Sequence, residues 1–144
     1  MKILVINGPN INMLGVRKPG IYGKEDYKAL LSGLEKCAAE NKVDIETFQS
    51  NIEGEIVDKI QSALGSCDGI VINPGAYTHY SIAILDALKA VAIPAVEVHL
   101  SHIAEREEFR QKSVTAAGCV GQIAGFGFLS YDLAIQALIG VLDN

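Results

Sequence analysis

The sequence predicts an α/β protein built on a doubly wound parallel sheet. Short apolar runs, such as Ile3–Ile6 and Ile70–Ile72, are typical of parallel strands that are covered on both faces. Longer stretches between these runs carry apolar residues at helical spacing. The two patterns alternate along the whole chain, which is the order that crossover connections between parallel strands produce.

The first half of the chain holds three predicted strands and two predicted helices. Ile3–Ile6 is the first strand, Val43–Ser50 alternates between the two faces of a sheet, and Asp68–Asn73 has a wholly apolar centre. Lys24–Asn41 has one apolar face at helical spacing, and it is the first predicted helix. The apolar face of the second helix consists of Ile56, Val57, Ile60 and Leu64.

The second half continues in the same order. A third helix is predicted to start at Thr78 or His79, and its inward residues are Ile82, Leu85 and Leu88. Ser101–Ser113 is charged and only weakly periodic, and we count it as the fourth crossover element. The remaining elements are the strands Pro94–His99 and Cys119–Phe126 and the helix Leu129–Leu142. Five β-α units predict a single domain over residues 1–144, with the flavodoxin-like strand order 2-1-3-4-5.

Composition excludes several classes of protein. The net charge of -5 and the lack of a basic stripe argue against a nucleic-acid partner. Because the apolar runs are too short for a signal peptide or a membrane span, we expect a cytoplasmic protein without a membrane partner. The three cysteines are scattered and lack C-x-x-C spacing, which favours reduced thiols over disulfides or a zinc site.

A long polar loop follows the first strand. Asn7–Gly23, NGPNINMLGVRKPGIYG, contains four glycines and two prolines, so it is neither a helix nor a regular strand. It starts at the carboxyl end of a strand, where open α/β sheets bind their ligands. The alternative is a glycine-rich connector without a function.

Tyr22 and Arg17 lie in this loop and together suggest a base. A free tyrosine has a pKa near ~10, and lowering it by about three units requires about 4 kcal/mol of differential stabilisation. A guanidinium group close to the phenol favours the tyrosinate, which is able to act as a general base. The alternative is that Tyr22 packs the loop and Arg17 is a solvated charge.

Further polar residues follow the third and fourth strands. Asn73 ends the third strand, with His79 shortly after it, and Glu97 and His99 end the fourth. The i, i+2 spacing on a strand directs Glu97 and His99 to the same side. A carboxylate beside an imidazole fixes its orientation and favours its protonated form. Each residue also has an alternative without chemistry. His99 is then a structural histidine, His79 a residue beside a helix cap, and Asn73 a turn residue.

These groups supply what an elimination beside a ketone needs. The set contains a possible base, a possible acid, amides and cations, but no metal-ligand spacing and no lysine at a strand end for a Schiff base. Flavin binding is disfavoured because NGPNINMLG has no hydroxyl residue for a phosphate. A phospho-receiver domain requires an acid where Asn73 stands, and the dinucleotide fingerprint G-x-G-x-x-G is absent after the first strand.

Four blocks of sequence carry a resemblance to a known family. They are NGPNINMLGVRKPGIYG at residues 7–23, QSNIEGEIVDKI at 49–60, INPGAYTHYSIAILDAL at 72–88 and VEVHLSHIAEREEFR at 96–110. With these blocks the chain resembles the type II 3-dehydroquinate dehydratases along essentially its whole length. The resemblance implies a hydro-lyase of the shikimate pathway, which eliminates water in the anti sense from 3-dehydroquinate to give 3-dehydroshikimate through an enolate. It also implies a dodecamer of trimers that uses no cofactor, metal or Schiff base.

The resemblance assigns roles to individual residues. It makes Tyr22 the base, Arg17 a lid residue that lowers the tyrosine pKa, and His99 the acid that protonates the departing hydroxyl. By the same resemblance Asn12 holds a water that stabilises the enolate, and Glu97 supports this network. The residues implied to bind the substrate are Asn73, His79, Leu100, Ser101 and Arg110, and Asp86 is implied to reach the site of a neighbouring subunit.

Several positions depart from the family pattern without removing a catalytic group. They are Ile11, Met13, Lys18, His102, Gln111 and Ser130. Two other functions stay open from the sequence: the same reaction in quinate breakdown, and a non-catalytic flavodoxin-like sensor of small molecules.

Overall fold

Five parallel strands form one sheet in the order β2-β1-β3-β4-β5. The computed structural model describes residues 1–16 and 25–144. Its strands are β1 (Lys2–Asn7), β2 (Asp44–Gln49), β3 (Gly69–Asn73), β4 (Ala95–His99) and β5 (Gly121–Ala124). The predicted fold class and strand order are confirmed. The order places the carboxyl ends of β1, β3 and β4 side by side, with the topological switch between β1 and β3.

Helices cover both faces of the sheet. Within the described residues they are α1 (Tyr27–Asn41), α2 (Glu53–Ser62), α3 (Ile82–Val91) and α4 (Leu129–Leu142). One apolar core joins α1 and α4 to one face, and a second core joins α2 and α3 to the other. Alternate residues of the strands enter the two cores; in β1, for example, Ile3 and Val5 enter the first and Leu4 and Ile6 the second. No helix in this part of the chain has the length and apolar character that a bilayer span requires.

Side-chain caps set the starts of two helices. Asp26 accepts a hydrogen bond from the backbone N–H of Ala29 at 2.8 Å, so α1 begins at Tyr27. The predicted start at Lys24 lies outside the described residues. Ser81 accepts from the N–H of Ile84 at 3.0 Å and caps α3 in the same way.

The predicted start of α3 is wrong. Gly75–His79 forms a 3-10 turn, and the α-helix begins only after the cap at Ser81. The predicted inward face is partly wrong as well, because Ile82 stands in the first turn and is 55% exposed, whereas Leu88 is buried as predicted. The buried residues of this helix are Ile84, Ala87, Leu88 and Val91, which follow the i, i+3, i+4, i+7 spacing of a single face.

The prediction of β-α units throughout is also wrong at the fourth unit, between β4 and β5. The segment from Ser101 to Ser113 contains no α-helix, and its regular parts are the short 3-10 turns Ile103–Glu105 and Glu108–Arg110. Another such turn, Thr115–Gly118, precedes β5. The physical reason is the missing apolar face: Phe109, the one aromatic residue of the segment, is 67% exposed.

The ends of β1 and β3 approach each other very closely. The backbone N–H of Gly8 donates to the carbonyl of Asn73 at 2.8 Å. A Cβ atom on Gly8 would lie 2.5 Å from the carbonyl oxygen of Pro74, a distance at which the backbone must move. Only glycine therefore fits at position 8 in this geometry.

We expect Gly8→Ala to lower the free energy of unfolding by about 1–3 kcal/mol. The new methyl group would clash with backbone atoms of Pro74, and no flexible side chain can move aside to relieve the clash. Gly33→Ala is the matched control, since Gly33 is exposed in α1 and its Cβ would meet nothing within 4 Å. The control should gain up to about 1 kcal/mol from helix propensity. Urea unfolding followed by circular dichroism measures both, and equal midpoints for the two variants would contradict the close approach.

Candidate active site

A cleft of about 200 Å³ opens at the carboxyl edge of the sheet. The residues that line it and were predicted for the site are Asn73, His79, His99, Leu100, Ser101 and Arg110. Its other lining residues are Ile11, Gly75, Ala76, Ile103 and Arg106. The cleft thus lies beside the ends of β3 and β4, with Ile11 of the opening loop bordering it. This is the crevice that the strand order predicts.

Glu97 and His99 form a buried pair at the end of β4. Their side chains lie on the same side of the strand, and His99 Nε2 is 2.9 Å from Glu97 Oε2. Glu97 is fully buried and His99 is 6% exposed, so only the imidazole borders the cleft. Because Nε2 is held by the carboxylate, Nδ1 is the ring nitrogen left for a bound molecule.

Two other side chains complete the surroundings of the Glu97 carboxylate. Thr115 donates to Oε1, and Gln122 Nε2 donates to Oε2 at 2.7 Å. Burial raises the pKa of Glu97, but hydrogen bonds from His99 and Thr115 and the charge of His99 outweigh it, and the pKa lies below that of an ordinary glutamate. The site therefore holds a buried, ionised carboxylate directly behind the imidazole.

Sequence reasoning missed Thr115 and Gln122. Gln122 is the register partner of Glu97 on the neighbouring strand, so its role depends on the pairing of β4 with β5. Thr115 lies in a turn that the sequence pattern does not mark as ordered. The contact of Thr115 could not be predicted from the sequence. For Gln122 there was one usable signal: a polar glutamine in the predicted strand that neighbours the strand of Glu97.

Asn73 borders the cleft, but its side chain is held from below. Its Nδ2 donates to the hydroxyl of Tyr131 at 2.9 Å, and its Oδ1 accepts from the N–H of Gly75 at 3.1 Å. The Tyr131 hydroxyl in turn donates to Asn7 Oδ1 at 2.6 Å. Tyr131 is fully buried, and burial raises its pKa, so it stays a neutral hydroxyl. One hydroxyl from α4 thus joins the ends of β1 and β3.

The basic groups of the cleft come mainly from the segment after β4. Arg110 Nε donates to Glu107 at 2.6 Å, and Arg106 Nη1 lies 3.4 Å from Ser101 Oγ. Gln111, one of the departures from the family pattern, donates to the backbone carbonyl of Arg106 at 2.8 Å. Arg106 was not among the predicted site residues, and its place on the cleft depends on the irregular path of this segment.

His79 is the second histidine that lines the cleft. Its Nδ1 donates to the carbonyl oxygen of Lys112 at 2.8 Å, because a carbonyl only accepts. This contact leaves Nε2 for a bound molecule. The ring is therefore oriented by the segment that also carries the arginines.

Two further predicted residues, Asn12 and Asp86, do not line the cleft. Asn12 is exposed, and its Oδ1 accepts a long 3.4 Å hydrogen bond from Gln49. Asp86 is exposed on α3. Tyr22 and Arg17, as well as Lys18, lie outside the described residues. In the part of the chain that the structure describes, no group of three or more His, Cys, Asp and Glu side chains is placed to hold a metal ion.

Comparison with known proteins identifies the family. The sequence profile of the family described as "Dehydroquinase class II" matches residues 1–139. The chain belongs to the class II dehydroquinase family. The resemblance seen in the four sequence blocks is thereby confirmed.

Individual relatives cover the class II dehydroquinase chain almost completely. The 3-dehydroquinate dehydratase of Clostridium acetobutylicum is 57% identical over 144 residues, which is 100% of both chains. That of Lachnoclostridium phytofermentans is 61% identical over 142 residues and 98% of each chain. The crystal structure of the type II dehydroquinase from Butyrivibrio crossotus is 54% identical, has a TM-score of 0.92 and covers 96% of this chain and 97% of that one.

Tyr131→Phe tests the hydroxyl that joins β1 to β3. We expect the free energy of unfolding to fall by about 1–3 kcal/mol, because two buried amide groups lose their partner. Tyr80→Phe is the control, since Tyr80 is 63% exposed and its loss of a hydroxyl should change stability by at most about 0.5 kcal/mol. Urea unfolding of both variants is the measurement. If the two midpoints coincide with that of the unchanged protein, the hydroxyl does not hold the strand ends.

Proposed function

We propose that the chain is a cytoplasmic 3-dehydroquinate dehydratase with one catalytic domain over residues 1–144. It is a hydro-lyase of the shikimate pathway that converts 3-dehydroquinate to 3-dehydroshikimate by anti-elimination of water through an enolate. Family membership and the names of its relatives support the reaction. The observation that carries the proposal is the buried Glu97–His99 pair, whose imidazole opens onto a cleft lined by cations and amides.

His99 is the acid of this mechanism. Loss of water requires a proton for the departing hydroxyl, because hydroxide is a poor leaving group. The ionised Glu97 accepts a hydrogen bond from Nε2 and fixes the orientation of the ring. The proton on the other ring nitrogen then faces the bound substrate.

Tyr22 is the base, and Arg17 lowers its pKa and stabilises the charge that develops on the substrate. Both roles come from the family resemblance. Asn12 holds the water that stabilises the enolate, a role that also comes from the family resemblance; its side chain accepts a long hydrogen bond from Gln49. Anti-elimination needs the base and the acid on opposite faces of the ring. The opening loop that carries Tyr22 leaves from the end of β1, whereas His99 stands at the end of β4, so the two residues belong to segments that follow different strands.

The substrate carboxylate and ring hydroxyls bind to the remaining lining residues. Arg110 supplies a positive charge, and His79 and Asn73 supply polar side chains with one face each toward the cleft. The backbone at Leu100 and Ser101 follows directly on β4 and borders the same space. A cleft of about 200 Å³ suits a small ring acid better than a nucleotide cofactor.

The elimination proceeds without a metal ion or a Schiff base. The described residues that line the cleft include no lysine, so none of them provides the amine that a Schiff base needs. The charge of Arg17 and the water held by Asn12 provide the stabilisation of the enolate instead.

Ultraviolet absorbance during incubation with 3-dehydroquinate tests the function, because the product is a conjugated enone. We expect the absorbance to rise equally with and without a chelator. His99→Gln and Tyr22→Phe should each lower kcat about 10²–10⁴-fold, the usual contribution of a general acid or base. Tyr80→Phe is the matched control and should keep full turnover, since Tyr80 lies on the exposed surface.

The possible outcomes separate the parts of this proposal. No rise with the folded, unchanged protein contradicts the function and leaves the small-molecule sensor as the explanation. Loss of activity with chelator contradicts the metal-free route, and near-normal turnover of Tyr22→Phe or His99→Gln removes the role of that residue alone.

We further propose that twelve copies assemble as a dodecamer of trimers, with Asp86 reaching the cleft of a neighbouring copy. Asp86 is exposed on α3, where it does not line the cleft of its own chain. Ile82 on the same helix is 55% exposed, an apolar surface that a second copy would cover. Both observations fit a helix that faces another subunit.

Light scattering after size exclusion should give twelve times the 15.4 kDa mass of one chain. Asp86→Ala should lower kcat/KM about tenfold or more, because a hydrogen bond to a charged group is lost. Asp58→Ala is the control, since Asp58 is exposed on α2. Equal activity of the two variants would argue against a role of Asp86 at any active site, and a smaller mass would contradict the dodecamer.

A further inference from the structure

Three hydroxyl groups lie behind the Glu97 carboxylate, and the proposed mechanism does not use them. This hydroxyl cluster consists of Thr78, Ser113 and Thr115. Thr78 belongs to the turn after β3, whereas the other two precede β5. Thr78 Oγ1 is 2.6 Å from Ser113 Oγ and 2.8 Å from Thr115 Oγ1. Thr78 and Thr115 are fully buried.

The protons in the hydroxyl cluster have a fixed direction. An ionised carboxylate only accepts, so the single proton of Thr115 points to Glu97 Oε1. Thr115 then accepts the proton of Thr78, and Thr78 accepts that of Ser113, which are the two shortest hydroxyl distances. The backbone N–H of Ala116 donates to Ser113 Oγ at 3.0 Å and is the first donor in this series of hydrogen bonds. Every hydroxyl is satisfied, and every proton points toward the carboxylate.

We propose that Thr115 is a positioning residue for catalysis, which keeps Glu97 ionised and its carboxylate turned toward His99. Thr115 does not line the cleft, so it acts through Glu97. Thr115 occupies Oε1, while His99 and Gln122 share Oε2, and these contacts fix the plane of the carboxylate. The catalytic consequence rests on the proposed dehydratase function, whereas the effect on Glu97 does not.

Few titratable groups in the described chain influence Glu97. His99 faces it from β4, and Cys119 faces it from the connection to β5. Burial and the charge of Glu97 raise the pKa of the Cys119 thiol to about 12, so it stays neutral. Gln122 on β5 and the hydroxyl of Thr78 after β3 carry no charge. Loss of the Thr115 donor therefore acts on Glu97 itself, with His99 as the titratable side chain that contacts it.

The direction of the pH effect follows from the position of the Glu97 pKa. It lies below the ordinary value of 4.5, so the stability that Glu97 contributes is present above that value and is lost as the pH falls through the folded-state pKa. Thr115→Val removes a donor to the charged form and should raise this pKa by about one to two units. A protonated Glu97 no longer holds the His99 imidazole by a charged hydrogen bond, so the kcat of the variant relative to the unchanged protein should fall as the pH drops through the raised pKa.

Carbon-13 NMR of protein labelled at the glutamate side-chain carboxyl measures the ionisation of Glu97 directly. Glu97→Gln assigns the signal by removing it. We expect the midpoint in Thr115→Val to rise by about one to two pH units relative to the unchanged protein. Thr115→Ser keeps the hydroxyl and should restore the original midpoint. Thr47→Val, at an exposed threonine of β2, is the control for the substitution and should not move the signal.

Kinetics give the second readout. In Thr115→Val the kcat relative to that of the unchanged protein should fall as the pH is lowered through the raised midpoint of Glu97, while KM stays within about twofold because the cleft is unchanged. An unmoved Glu97 signal in folded Thr115→Val overturns the proposal, as does a Thr115→Ser variant that titrates like Thr115→Val. If Thr115→Val does not fold, Ser113→Ala must give a smaller shift in the same direction, and no shift overturns the proposal. Because the NMR titration needs no turnover, it remains decisive if the dehydratase function fails.

Discussion

Burial of the Glu97 carboxylate is the constraint on which the site depends. An isolated charge in the interior of a protein is very costly, and it persists only where donors replace water. Here the donors come from β4 itself, from β5 and from the turn before β5. The carboxylate therefore requires the register of β4 with β5, which brings Gln122 to it. Through Thr115 it also holds the irregular segment before β5 against β4. The imidazole of His99 takes its orientation from the same charge.

A second buried network supports the floor of the cleft. Tyr131 on α4 links Asn7 of β1 to Asn73 of β3, and the backbone of Gly8 contacts the end of β3 directly. The topological switch point is thus held by hydrogen bonds below the site, whereas Glu97 holds the neighbouring edge at β4. The two networks hold the side chains of Asn73 and His99 by hydrogen bonds on the side away from the cleft, which is what a preorganised site requires.

Much of the fold was predictable from the sequence, because strand character and helix periodicity are local properties. The spacing of Glu97 and His99 also predicted their common side, since alternation on a strand is local too. Thr115, Gln122 and Tyr131 were missed because their roles depend on strand register and on packing between elements distant in sequence. The start of α3 was wrong for a local reason: the Ser81 cap outweighed apolar spacing that extends further toward the N-terminus. The roles of Tyr22 and Arg17 stay predictions.

Because no helix forms between β4 and β5, this one segment supplies side chains both to the cleft in front of His99 and to the buried carboxylate behind it. A crossover helix would have packed its own apolar face on the sheet and left its polar side chains in solvent. The irregular path instead brings Arg106 and Arg110 to the cleft and, a few residues later, Ser113 and Thr115 behind Glu97. Short 3-10 turns with exposed Phe109 and Glu108 have little apolar burial of their own, so this segment is held chiefly by its hydrogen bonds to the site. The order of the segment and the ionisation of Glu97 are therefore physically linked, since the contacts that fix one also stabilise the other.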